Sequence, residues 1–400
     1  MARTLMLLAL LVIILLIFNP FGCGSSGGGG SSPAPVVSAP EAASEPLPVV
    51  AIASVRELGP IETSGTILMR DCGYSAQVGG KSVWLFGDTL LDFANEDNTR
   101  MLCNSWSSTY DVDAGDGLAG FEERVDDVGA PIPFFPLTEQ EQAFNAAHAG
   151  TACAEEPCHA RWSIWPGTMV VDDLRQLVFA FYHKVYSEVG EFNFRHVGHS
   201  IAVWRDLSET AERPVFSYYD EYPTLFFAED RDGFGSAAVL VGEDLYVYGC
   251  EMLAGDIVKP CRLARVLLAD ILDREAWAFY AGDGDWSADI GDAAVVFYGN
   301  NMMSVFYNEY IGQYMTIYSQ PMDTRVVLRT APSPAGPWSE PLDVFIAEPA
   351  VSSKGWIYDA LAHPQYAEGG GQTIYITYTR QTGPAASEMR QIAVVLEKLN

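Results

Sequence analysis

Three acidic side chains, Asp71, Asp359 and Glu251, stand where a proton could be moved or a nucleophile supplied. Asp71 lies in Arg70-Asp71-Cys72-Gly73-Tyr74-Ser75, and a neighbouring arginine would favour its ionised form. Asp359 lies in Trp356-Ile357-Tyr358-Asp359-Ala360-Leu361-Ala362-His363-Pro364, and Glu251 follows Tyr248-Gly249-Cys250. Paired carboxyls either side of a glycosidic bond hydrolyse it, with retention at separations of ~5–5.5 Å and inversion at ~6.5–9.5 Å. In that chemistry Asp71 is nucleophile or base, Asp359 its partner and Glu251 a proton donor. Asp88, Trp162, Trp165, Phe234, Asn300 and His363 extend the set to one that binds sugar, because aromatic faces stack on C–H surfaces and polar tips meet hydroxyls. Each has an ordinary structural alternative: an aspartate capping a turn, or a histidine satisfied in the core.

Other chemistries find little support. Outside the Gly/Ser-rich run after Cys23 the serines lack a Gly-x-Ser-x-Gly elbow, and no strand-glycine-helix phosphate loop appears. His196 and His199 are two apart on a strand-like stretch, without the helical spacing of a zinc protease. Cys153 and Cys158 lack the second ligand pair of a zinc site. No cofactor is expected, although a structural cation in a central channel fits the residue set.

Residues so far apart need a fold that gathers them, and a repeat supplies one. Five times the chain gives a small-residue strand, a tight turn and an aromatic-rich strand. The hairpins start at Tyr74, Gly167, Ser236, Met303 and Ala362, and the first turns through Gly79-Gly80. Third strands follow at Trp106–Tyr110, His199–Trp204, Arg262–Leu268, Arg325–Thr330 and Gln391–Leu396. Fourth strands fit Leu225–Ala228, Trp277–Tyr280 and Leu342–Ile346. Antiparallel units recurring every ~60–90 residues describe an all-β, five-bladed β-propeller, with a β-sandwich as the alternative. Val49–Val55 would pair with the last blade and close the ring. Thr138–Ala149, opened by a Thr138/Glu141 capping box, reads as a small helical insertion in or after the first blade. A propeller presents the starts of its inner strands at one rim, which places Asp71, Trp162, Trp165, Asp232, Phe234, Asn300, Asn301, Asp359 and His363 there.

The ends of the chain bear on location. Arg3 precedes an apolar run, Leu5–Phe18, of about 14 residues, too short to span a bilayer and right for a signal-peptide core. Residues 1–22 read as a signal peptide, with Cys23 as a lipidated first residue. Residues 23–48, rich in Gly, Ser and Pro, read as a tether, and 49–400 as the propeller. The expected location is the cell envelope, anchored by lipid at the outer membrane, and the expected state is a monomer. The net charge of −29 disfavours nucleic acid and leaves a carbohydrate polymer as the expected partner. Six cysteines remain after Cys23, and of their fifteen pairings the simplest joins nearest neighbours, with Cys153–Cys158 and Cys250–Cys261 closing short loops.

Arg70-Asp71-Cys72-Gly73, leading into Val83-Trp84-Leu85-Phe86-Gly87-Asp88-Thr89, resembles the opening of a family of exported propeller domains of unknown function (domain of unknown function 4185). The likeness continues through Tyr307-Asn308-Glu309-Tyr310-Ile311-Gly312-Gln313-Tyr314, Arg329-Thr330-Ala331, Gly336-Pro337-Trp338-Ser339-Glu340-Pro341 and Tyr358–Pro364. That family is related to five-bladed glycoside hydrolases and includes endo-D-arabinanases. The resemblance implies a five-bladed fold, a carbohydrate-facing pocket and catalytic aspartates, with Asp71 matching the first-blade aspartate and Asp359 matching by position in the last blade. It is also compatible with a non-catalytic surface lipoprotein that binds glycan or a protein through the same face.

Overall fold

The computed structural model describes residues 46–96, 98–190, 193–206, 208–228, 233–250, 259–349, 355–383 and 385–399. Their strands form five antiparallel sheets arranged as a five-bladed propeller. Blade one runs outward from Ile67–Val78 through Lys81–Leu91 and Ser105–Thr109 to Glu122–Glu123. Blade two is Arg161–Asp172, Leu177–Ser187, Phe194–Trp204 and Phe227–Ala228. Blade three begins Phe234–Val241, Asp244–Cys250 and Lys259–Leu267, then adds Ala278–Gly282, Asp285–Ser287 and Val295–Gly299. Blade four is Ser304–Asn308, Gln313–Ser319, Arg325–Ala331 and Leu342–Ile346. Blade five takes Tyr358–Ala362, Thr373–Gly383 and Ala386–Lys398 from the end of the chain and Val50–Pro60 from its beginning. Val50 pairs with Lys398 and Pro60 with Arg390, so the ring is closed by hydrogen bonds between the two ends.

The aromatic-rich second strands explain why five sheets become one body. Neighbouring side chains on a strand face opposite ways. Trp84 and Phe86 therefore enter the seam between blades five and one, while Val83 and Leu85 enter that between one and two. Phe179 and Phe181 pack toward blade three, and Val178, Ala180 and Tyr182 toward blade one. Tyr248 and Tyr318 fill the seam of blades three and four, and Ile317 and Ile376 that of four and five. Both faces of these strands are buried, so they read as continuous apolar runs and not as alternating ones. Gly79 and Gly80, at φ of 56° and 81°, make the left-handed turn that a two-residue hairpin loop requires.

The helix is Glu139–Ala147, with both halves of the Thr138/Glu141 capping box in place. The fifth inner strand differs from expectation. It is Tyr358–Ala362, and the residues after His363 form a 3-10 turn, Pro364–Tyr366, because Pro364 has no N–H to give a ladder. Cys153–Cys158 and Cys250–Cys261 are disulfides. Nearest-neighbour pairing stops there, since Cys72 and Cys103 remain thiols. Cys103 Sγ instead accepts the Ile164 N–H at 3.3 Å.

Candidate functional site

Two backbone irregularities aim the leading carboxyls. In blade one the pairing of Ile67–Val78 with Lys81–Leu91 slips on both sides of Cys72, whose φ is 70°. Such a bulge re-aims the side chain beside it. Asp71 is turned over Gly87, where any Cβ would collide with its Oδ1. In blade five the register slips between Tyr358 and Leu361, and Asp359 has φ of 55°. Its Oδ2 accepts the Cys72 N–H at 3.0 Å, which brings the first and last blades' aspartates to one place. A left-handed non-glycine residue costs energy and persists where its surroundings enforce it, which is commonly at a functional site.

Burial sets the protonation of these groups. The Asp71 carboxyl is pushed well above the usual range by burial, then by the charges of Asp359 and Asp88, against an N–H donated by Asp88. Asp359 is raised to about 6 by burial, against the Cys72 N–H and the Lys259 ammonium. Asp88 is raised by burial, and opposed by Arg161 at 3.5 Å and the Trp165 Nε1–H at 3.2 Å. The expectation that Arg70 keeps Asp71 ionised is overturned. Successive strand residues face opposite ways, so Arg70 turns from the site, pairs with Glu123 at 2.8 Å and lies over the Phe86 ring.

Further groups close the rim. Lys259 opens the third strand of blade three, donates to Asn301 Oδ1, and is lowered to about 8 by burial, against the pull of Asp359. The Tyr358 hydroxyl is pushed well up by burial and then by Asp71, Asp359 and Asp88. Blade two contributes Trp165, whose ring centroid lies 5.9 Å from that of His196, and His183, 5.7 Å from His196. Burial and neighbouring charges lower His183 well below its usual value, His196 to about 4 and His199 to about 3. Beneath the mouth Tyr74 crosses the channel, donating to Ser236 O at 2.8 Å. On its far side lies a cavity of about 360 Å³ lined by Tyr74, Ser75, Thr168, Val239, Ser304 and Gln365.

The structure thus brings together Asp71, Asp88, Asp359 and Trp165, and sends other expected residues elsewhere. Trp162 packs on the helix insertion, against Phe144, Tyr186 and Tyr222, because its strand begins at Arg161 and not at Gly167. Phe234 is fully buried in the seam of blades two and three. His363 follows its strand, hydrogen-bonds Ser75 at 2.6 Å and Thr377 at 2.8 Å, and rests on Trp84. Asn300 donates to Ser319 O at 3.0 Å and accepts the Asn301 N–H, which leaves its amide tied to the backbone. Glu251 and Asp232 lie outside the described residues. Lys259, Tyr358 and His183 escaped the sequence reading. The sequence places the start of the third strand of blade three at Arg262, three residues past Lys259, and its second-strand candidates, Asp88 and Glu251, come from blades one and three, whereas His183 lies on the second strand of blade two.

Comparison with known proteins agrees with this architecture. A candidate hydrolase of Bacteroides ovatus superposes with a TM-score of 0.53 at 14% identity, over 81% of this chain and 85% of that one, which shows the fold. A protein of unknown function from Dyadobacter fermentans gives 0.47 at 8% identity, over 88% and 100%. A family 117 glycoside hydrolase of Zobellia galactanivorans gives 0.48 at 11% identity, over 86% and 90%. No curated protein matches the chain. The family model described as "Domain of unknown function (DUF4185)" matches residues 62–383, from just before blade one into blade five, and the chain belongs to that family.

Proposed function

We propose that this protein is an exported, lipid-anchored glycoside hydrolase that cleaves a cell-wall or environmental glycan at the carboxyl-bearing mouth. One observation carries the reading: bulges in the first and last blades bring Asp71 and Asp359 to one buried place, where the Asp359 charge adds to burial in raising Asp71 while the Cys72 N–H and the Lys259 ammonium work against burial at Asp359, so the two differ in proton affinity. Glycoside hydrolysis needs that inequality, with one carboxyl protonated to assist the leaving oxygen and another ionised to activate water or attack carbon. Asp71, the harder to ionise, suits the acid. Asp359, held by an N–H and an ammonium, suits the base or nucleophile. This reverses the assignment made from Arg70. Trp165 offers an indole edge beside Asp88 for the sugar. The Leu5–Phe18 run, Cys23 and the Gly/Ser/Pro tether support export and anchoring.

The test is release of reducing sugar from a broad panel of plant, algal and microbial polysaccharides. Asp71→Asn and Asp359→Asn should each lower the rate by about 100-fold or more with the fold intact by circular dichroism. Hydrolysis untouched by Asp71→Asn would discard the assignment. Binding across the panel without turnover would leave a glycan-binding lipoprotein instead.

A further inference from the structure

We infer that the blade-two wall of the mouth, His183 and His196 backed by His199, is the subsite that reads the hydroxyl groups of a neutral sugar held against Asp71 and Asp359. The inference rests on the glycoside hydrolase reading and adds the class of group recognised. Three of the chain's six histidines gather on two adjacent strands, with His183 directly paired to His199 and their rings 6.2 Å apart. Among the described residues no protein hydrogen bond reaches the three rings; His199 Nε2 is buried without a partner on a side chain only 2% exposed, and His183 and His196 are half-buried beside it. His363, by contrast, has both ring nitrogens engaged, and His148 Nδ1 meets Pro157 O at 3.1 Å. Buried polar groups are nearly always paired, so the unpaired His199 Nε2 behind two half-buried imidazoles marks where a partner arrives from outside.

The chemistry of the wall selects that partner. A neutral imidazole carries one N–H and one lone pair, the complement of a hydroxyl, which both accepts and donates. Burial keeps these rings in that form, and Lys259 at their border opposes further positive charge. One shared metal ion does not fit, since the ring nitrogens do not converge to the spacing of a common ligand set among the described residues. Trp165 links the wall to the acids: it flanks His196 and donates to Asp88 at 3.2 Å. Gly233 leaves the approach open, because a Cβ there would come within 3.3 Å of His183 Cε1.

Imidazole resonances of the Asp71→Asn protein, followed by NMR during titration with soluble xylo-, arabino- and cello-oligosaccharides, test the wall directly. At least one neutral oligosaccharide should shift the His183 and His196 signals while His148 and His159 stay in place. Silence to all three, or a response to galacturonate oligosaccharides alone, would overturn the inference. In the active protein His183→Ala should lower kcat/KM on a digested glycan about 10- to 100-fold, chiefly through KM. His183→Gln serves if the alanine variant fails to fold. Unchanged kcat/KM would remove the subsite and leave the hydrolase standing. Shifted imidazoles in a protein that digests nothing would keep the subsite and remove the hydrolase.

Discussion

Cys72 is the hinge between the two acids, and it acts through its backbone and not through its thiol. Its left-handed φ sends Asp71 over Gly87 and leaves its own N–H aimed at Asp359. The cost falls on stability. A free aspartate titrates near pH ~3.9, whereas Asp359 in the fold titrates at about 6. The folded state therefore holds this proton more tightly than the unfolded chain, and it loses stability as pH rises from about 4 to about 6, with the loss persisting above. Asp359→Asn keeps an acceptor for the Cys72 N–H and cannot ionise. Its melting temperature should match the parent's near pH 4 and exceed it above pH 6, while hydrolysis is lost. Scanning calorimetry at several pH values checks this, and an offset of equal size at pH 4 and pH 7 would refute the linkage. Asp71 and Asp359 were legible as candidates from their place in the repeat. Their proton affinities were not, since those depend on who else is buried nearby.

At the scale of elements, the helix Glu139–Ala147 shows how one residue serves two levels. The Thr138/Glu141 capping box was readable as a local pattern. Its second use was not. Glu141 also receives Arg213 at 2.6 and 3.0 Å and Lys184 at 2.5 Å, from residues 72 and 43 positions away. Burial would raise this carboxyl, but Arg213 and then Lys184 hold it down at about 2. Its contribution is present above the ordinary glutamate value and is lost as pH falls from about 4 toward 2. Glu141→Gln leaves two buried cations without their counter-charge and should cost about 3–5 kcal/mol at neutral pH. Urea unfolding at pH 7 measures it, and a loss under about 1 kcal/mol would mean the cluster is solvated in solution. Trp162 belongs to this assembly, with Lys184 4.6 Å from its ring centroid. That is why an indole expected at the sugar site anchors the insertion instead.

For the whole molecule, closure decides everything else. Five seams, each filled from two blades, hold only if the last sheet meets the first, and Val50–Pro60 supplies the strand that leaves no open gap. Among the described residues no helix is long and apolar enough to cross a membrane. The proposed anchor is Cys23, and it has its own test. Cys23→Ser should move the protein from the membrane fraction of a bacterial expression host to the soluble fraction without changing its activity on a soluble glycan. Retention in the membrane fraction would show that lipid on Cys23 is not the anchor.

Local chemistry written into the chain determined the fold class: turn glycines, doubly apolar second strands and a fivefold hairpin pattern are short-range features that survive without knowledge of contacts. It also marked Asp71, Asp88, Asp359 and Trp165. Tertiary structure alone decided that Arg70 serves Glu123, that Phe234 and His363 belong to the core, that Lys259 comes near Asp359, and that His183, His196 and His199 cluster on blade two. Those outcomes turn on which way a side chain faces after a bulge and on charge brought from far along the chain. One slipped residue reverses the first, and only the closed ring creates the second.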